Sequence, residues 1–574
     1  MEETIKKLIA ALLFVLLACS TLFAGCANDG KTAGGEYIVT VYRVRSSGMV
    51  DGTDDDKVTA ALEKKFKEDT GIGIKLNMIM ENNDSLPQKV DLDYGKANQP
   101  MDLVYHYVSE DLSGSAVMKY AKEAESVVEL SSLMEEYAPD LLAKIRENDT
   151  DHVAERSGYV MQTDGSYKNV IIPTHTNESV FSILIRKDLM KKVQNKTGLD
   201  PENYDIANEG YQNLSLKEFE NLLIEMKAAE PSVSYSISGY PWDIERVISP
   251  ALGVDGRNYA FDENGKLVPP QLGKGFGDSL QLMYDWISKK IYEPSSNNLT
   301  ETQMRSNFLT GKSAAFICYP EVENLIEVVR TAQAMNQVPN AEYMLLAPLA
   351  SVDAAGNTAM ENGKPKVNGF IKNPRSFCGS IIPRKSKHPE ITLQFLNWLA
   401  SDPENYELAK YGIKGEHWIE GDEKTIGGVT YQTWEYPPAK SEEFKLKPPY
   451  SGKWDLIENI NVSNRLRGDM NTQESRWYAA ITYEFPTFSS GIEGIWLPKA
   501  DTKYSSAATQ LEQNYVTNVR GNAWTGEAGA GGKNALALWR DYNTDIRKTA
   551  AEYLQYIDES YHKVLDAFHS KFGG

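Results

Sequence analysis

Between residues 36 and 80 the chain reads strand, helix, strand with short connections, and this constrains the fold more than any other stretch. Glu36 to Val44 (EYIVTVYRV) is rich in β-branched and aromatic residues and predicts a strand. Lys57 to Asp69 sets Val58, Ala61, Leu62 and Phe66 on one helical face, with Gly71 as its stop. Ile72 to Met80 predicts the next strand. Strands joined so closely through a helix run parallel, so the chain opens an α/β sheet whose faces are covered by helices.

A second stretch, Met304 to Glu321 (MRSNFLTGKSAAFICYPE), predicts a helix with Met304, Asn307 and Phe308 at helical spacing. Gly311 caps it, and a buried strand of small and apolar residues runs from Ser313 to Cys318. In open α/β sheets ligands gather beyond the carboxyl ends of the strands, which makes Tyr319 a candidate contact.

At 574 residues, 41% of them hydrophobic, the chain can build two or three lobes with sizeable cores. A net charge of −20 argues against nucleic acid or anionic lipid as partner, since the overall field repels both. Residues 1–25 read as an export signal: Lys6 and Lys7 precede an apolar run from Leu8 to Ala18, too short to span a bilayer, and Ala24 and Gly25 precede Cys26. Small residues before a cysteine resemble the lipobox of bacterial lipoproteins, which implies that Cys26 becomes the acylated first residue. Residues 26–35 then form a flexible tether reaching at most roughly 30 Å. Of four cysteines, Cys318 and Cys378 remain in the body. Both sit in apolar segments and read as buried thiols, with a bridge between them the alternative.

Several motifs carry no chemistry. Gly25 to Thr32 satisfies the P-loop pattern literally but neither follows a strand nor opens a helix. The acidic loop Asp51 to Asp56 (DGTDDD) lacks the glycine and distal glutamate of an EF-hand and reads as a solvated helix start. The seven histidines are scattered, with His175 and Glu178 the nearest pair, so no metal or other cofactor is expected. Adjacent carboxylates such as Glu135 and Glu136 identify no glycosidase pair.

Longer motifs resemble a known family. The F-x-x-G-K-x-A-x-F pattern at Phe308 to Phe316, the Arg186-Lys187-Asp188-Leu189 strand ending and the Ala138-Pro139 dipeptide resemble the solute-binding proteins of bacterial ABC importers, of the maltodextrin-binding kind. So does the P-E-x-x-x-x-F-L-x-W-L helix at Pro389 to Leu399. Tyr411 to Trp418 (YGIKGEHW) is similar to the Y-G-x-x-G-x-H-W motif of a large lipoprotein subgroup linked to complex-carbohydrate uptake. The resemblance implies a two-lobed periplasmic-binding-protein type II fold, α/β in class, with hinge strands and a ligand cleft. Lobe 1 is expected over 36–172, lobe 2 over 173–343, a return to lobe 1 over 344–420, and an aromatic-rich insertion with C-terminal helices, mainly in lobe 2, over 421–574. Ala341 to Pro348 is the second hinge candidate.

The implied function is a lipid-anchored, monomeric binding protein, not an enzyme, that captures an oligosaccharide and delivers it to the transmembrane subunits of an ABC permease. A sugar cleft needs flat aromatic faces together with carboxylates, amides and guanidinium groups. The loops that supply them carry Tyr42, Arg43 and Arg45; His106 and Tyr107; Asn177 and Glu178; Tyr240, Trp242 and Asp243; and Tyr319 and Glu321. Glu416, His417 and Trp418 are expected to brace the lobe junction. The alternatives are a secreted carbohydrate-active enzyme using Glu178 or Asp243 as acid/base, and a binder of peptides or other non-sugar ligands.

Overall fold

The computed structural model describes residues 30–572 except 46–48, 109–114, 148, 150–151, 175–181, 257–258, 294–297, 318–321, 354, 372–377, 458–461, 463–464, 489–490, 493 and 500–501. The expected signal segment, Cys26, Asn177, Glu178, Cys318, Tyr319 and Glu321 lie outside the described residues, as do the side chains of Trp242 and Asp243. The chain divides into two compact units: Met1–Thr176, Arg375–Asp422 and Gln432–Arg465 form the first, and Asn177–Pro374, Glu423–Tyr431 and Leu466–Gly574 the second.

In chain order the strands of the two main sheets are β1 (Tyr37–Val44), β2 (Ile74–Glu81), β3 (Leu103–Tyr107), β4 (Ile172–Pro173), β5 (Ile183–Arg186), β6 (Ile237–Gly239), β7 (Ala315–Ile317), β8 (Tyr343–Leu346) and β9 (Cys378–Ile381).

The first unit holds the five-stranded sheet, ordered β2-β1-β3-β9-β4. Within it β1 pairs parallel with β2 and β3, as the short opening connections require; β9 pairs antiparallel with β3 and β4. Every residue of β1 from Val39 onward is buried, the pattern of a strand covered on both faces. The helix α1 (Asp55–Thr70) turns Val58, Leu62 and Phe66 inward and stops at Gly71, whose φ of 77° only glycine adopts without strain. Phe66 meets Phe395 and Trp398 edge-on, with ring centroids 5.8 and 5.6 Å apart. The tryptophan-containing helix Pro389–Ser401 is therefore a core partner of α1.

The second unit holds the four-stranded sheet, ordered β8-β5-β7-β6. The helix Glu301–Leu309 starts on a reciprocal Thr300/Gln303 capping box and leads through Gly311, at φ 75°, into β7. All three residues of β7 are buried, as its small and apolar sequence predicts.

Several expectations need correction. Tyr343–Leu346 does not return the chain to the first unit: it pairs antiparallel with β5, is buried along its length, and the chain stays in the second unit to Pro374. The return therefore begins at Arg375, not at 344, and the first crossing falls at Thr176/Asn177. Within 421–574, residues 432–465 belong to the first unit because their aromatics fill its core. Trp454 is fully buried there and its Nε1 donates to the Thr59 hydroxyl of α1 at 2.9 Å. The C-terminal helices are Ala535–Thr549 and Ala551–Phe572, separated by a break at Ala550 (φ −111°, ψ 21°). Cys378 is buried in β9.

Candidate functional site at the strand ends of each unit

In the first unit the carboxyl ends of three parallel strands share one edge of the sheet. The register sets Arg43 beside Tyr105 and Val44 beside Glu81, and the antiparallel β9 enters at the same edge with Cys378 opposite Tyr107. Arg45 leaves β1 there, its N–H still bound to the Glu81 carbonyl at 2.7 Å and its Nη1 2.8 Å from Asp51 Oδ1. A concavity of about 340 Å³ opens beside it, lined by Arg45, Asp51, Asp55, Asp56, Lys453 and the half-buried Met78 and Met80. This is at the low end of the roughly 300–1,000 Å³ usual for ligand pockets.

The wall opposite β2 is held by the returning segment around 449–455. Asp55 accepts from both the N–H and the hydroxyl of Ser451 at 2.9 Å. Gly52 lies against the Pro449 carbonyl, which an added Cβ would approach to 2.4 Å. Lys453 Nζ is 3.8 Å from Asp56.

The Tyr411 to Trp418 motif explains how this wall is fixed. Gly412 and Gly415 both take φ 85°. The resulting loop closes on itself: Ile413 N–H donates to His417 Nδ1 at 2.9 Å, and Trp418 Nε1 donates to the Gly412 carbonyl at 3.1 Å. With Nδ1 accepting, the proton sits on Nε2, which donates to Asp54 at 3.1 Å and holds that carboxyl below the usual carboxylate range. Asp54 is the residue before α1, and Glu416 pairs with Lys57 of the same helix. The motif thus braces the start of α1 within the first unit.

Other sequence candidates on this unit lie deeper. Tyr42 is fully buried, its hydroxyl donating to Asp93 at 2.9 Å. Arg43 is buried, donating to the Gly452 carbonyl at 2.8 Å and lying over the Tyr105 ring at 5.4 Å. His106 is fully buried: Nδ1 accepts from Ala116 N–H and Nε2 faces the Asn83 amide oxygen, both at 3.1 Å. Burial pushes its pKa down to about 4, so the ring is neutral at neutral pH. Tyr107 is half-buried at the strand end.

In the second unit, parallel pairing of β6 and β7 sets Gly239 beside Ile317. Gly239 has φ 152°, and an added Cβ would lie 2.0 Å from the Ile317 carbonyl oxygen, so only glycine allows this approach. The half-buried Tyr240 follows directly, and Trp242 and Asp243 fall in the first turn of the helix Pro241–Ile248. Ile317 ends β7 at the same edge, and β5 enters there with Leu184 opposite Phe316. Strand order thus gathers the chain positions of Tyr240, Ile317 and Ser182 at one edge of this sheet.

The sequence did not single out Asp51, Asp55, Asp56, Met78, Met80 and Lys453 as lining residues. The acidic loop was visible, but the approach of Lys453 depends on a contact spanning nearly the whole first unit, and no local pattern signals it. Among the described residues no group of three or more His, Cys, Asp or Glu could hold a metal ion, and no helix is long and apolar enough to cross a membrane.

Residues 51–406 match the family described as bacterial extracellular solute-binding protein. The chain belongs to that family. The binding protein has the two-domain, type II periplasmic-binding-protein fold. It is similar in structure to an N-glycan transport solute-binding protein (NgtS) from Streptococcus pneumoniae, with 14% identity, TM-score 0.60, and coverage of 92% of this chain and 99% of that one. It is similar to the alginate-binding protein AlgQ2 at 14% identity and TM-score 0.58, covering 92% and 98%. A third similar structure is an HMO-binding, ABC-transporter-associated solute-binding protein from Bifidobacterium longum infantis, at 13% identity and TM-score 0.60, covering 92% and 99%. A comparison with curated protein sequences finds no significant match.

Proposed function

We propose that this binding protein is the lipid-anchored capture component of an ABC importer for an oligosaccharide. The observation that carries the reading is the mixed lining of the first unit's strand-end concavity, where guanidinium, ammonium, carboxylate and thioether groups stand side by side. Sugar hydroxyls donate and accept at once, and a ring's C–H face needs an apolar surface, so this combination suits them. The neighbours named for N-glycan transport, alginate binding and HMO binding support the same ligand class.

In this reading Arg45, Asp51, Lys453 and Tyr107 contact ligand from the first unit. Tyr240 does so from the second, with Asn177, Glu178, Trp242, Asp243, Tyr319 and Glu321 supplied by the segments around it. Tyr42, Arg43 and His106 set the floor beneath the first group. Ligand contacts on both units favour a closed form, which the permease recognises. Acylated Cys26 keeps the protein at the outer face of the cytoplasmic membrane.

A thermal-shift screen of the purified protein against oligosaccharides and peptides tests the proposal. A saccharide that raises the melting temperature in a dose-dependent way and is recovered uncleaved after long incubation supports it. Cleavage products would establish an enzyme instead, and stabilisation by peptides alone would move the ligand class.

A further inference from the structure

The charges around the concavity point to the kind of sugar. From its lining we infer that the first unit selects an uncharged saccharide end and disfavours uronate-containing ones; the inference rests on the carbohydrate reading above. Three carboxylates, Asp51, Asp55 and Asp56, face two cations, Arg45 and Lys453. Neither cation is held in reserve for an anion: Arg45 is 2.8 Å from Asp51, and Lys453 is 3.8 Å from Asp56.

A uronate entering here sets its carboxylate beside Asp51 and Asp56, which already neutralise the two cations it would accept from, so like-charge repulsion offsets the attraction. The start of α1 does not offset this, because its positive end is already met by Asp54, Asp55 and Asp56. The net charge of −20 adds a long-range penalty for any anion.

A neutral ring meets no such cost. Its hydroxyls donate to Asp51 and Asp56 and accept from the remaining N–H groups of Arg45 and Lys453, and its C–H face lies on Met78 and Met80. The ion pairs stay intact throughout. The small volume suits the end of a chain more than a long oligosaccharide.

Calorimetric titration of the full-length protein with a panel of neutral mannose-, glucose- and galactose-containing oligosaccharides, and with uronate oligomers of matched length, tests this at low and high salt. The expected result is a neutral ligand binding at least about tenfold more tightly than any matched uronate, with the gap narrowing as salt rises. The double variant Asp51→Asn/Asp56→Asn should narrow the gap further while thermal stability hardly moves. Equal or tighter binding of uronates, weakened by salt and by Arg45→Gln, would overturn the inference and leave the carbohydrate reading standing. Binding of neither series would overturn that reading and the inference with it.

Discussion

His106 shows how a residue beneath a site can be separated from one within it. Its ring is buried and neutral, with a pKa near 4 against 6.5 for the free side chain. A depressed histidine pKa stabilises the native state above the unfolded value, and that stabilisation is lost as pH falls from about 6.5 to about 4, where the unfolded chain binds a proton the native state refuses. Urea unfolding of the wild type and of His106→Gln should therefore show a stability difference that shrinks by on the order of 3 kcal/mol between neutral pH and about pH 4. A pH-independent difference would mean that the ring is not buried neutral. His417 plays another part: its two nitrogens tie the Gly412 turn to the start of α1. His417→Ala should cost about 2–4 kcal/mol of stability, because it leaves a cavity and an unpaired amide. The motif carrying His417 was legible as a motif, while its target Asp54, 363 residues away in sequence, was not.

At the scale of elements, local pattern was a sufficient guide wherever a segment's partners lie close in sequence. The β1-α1-β2 unit, the strand after Gly311 and the helix Pro389–Ser401 lie within about two residues of their predicted bounds, and the helix before Gly311 starts three residues earlier than Met304, because periodicity and caps specify these elements locally. Local pattern is not enough where an element's place is decided by distant contacts. Tyr343–Leu346 has the composition of any buried strand, and only its pairing with β5 keeps it in the second unit. Residues 432–465 read as an insertion because Trp454 finds its partner Thr59 in α1 and Pro449 finds Asp54 in the loop before it. The approach of β6 to β7 gives a sharp test of element packing. Gly239→Ala should destabilise the protein by roughly 2–3 kcal/mol or more, since the new methyl group meets the Ile317 carbonyl. Gly265→Ala, at φ 74° with open space around it, should cost only about 1 kcal/mol. Equal losses in denaturant unfolding would count against the close pairing.

For the molecule as a whole, the sequence made the two-lobed class readable through its motifs, whereas the crossing points depended on which sheet each returning segment joins. The anchor is tested at this scale: Cys26→Ser should release the protein from the membrane fraction into the medium, and retention at high salt would place the anchor elsewhere. Ligand capture at the strand ends is the central claim, and Arg45 is the residue that isolates it. Its ion pair with the exposed Asp51 is a surface interaction worth at most about 1 kcal/mol, so Arg45→Ala should leave unfolding stability nearly unchanged. The decisive measurement is calorimetric titration of wild type and Arg45→Ala with the oligosaccharide that most stabilises the wild type. An affinity about tenfold weaker in an equally stable variant is the expected result. Unchanged affinity would contradict ligand capture at this edge of the sheet.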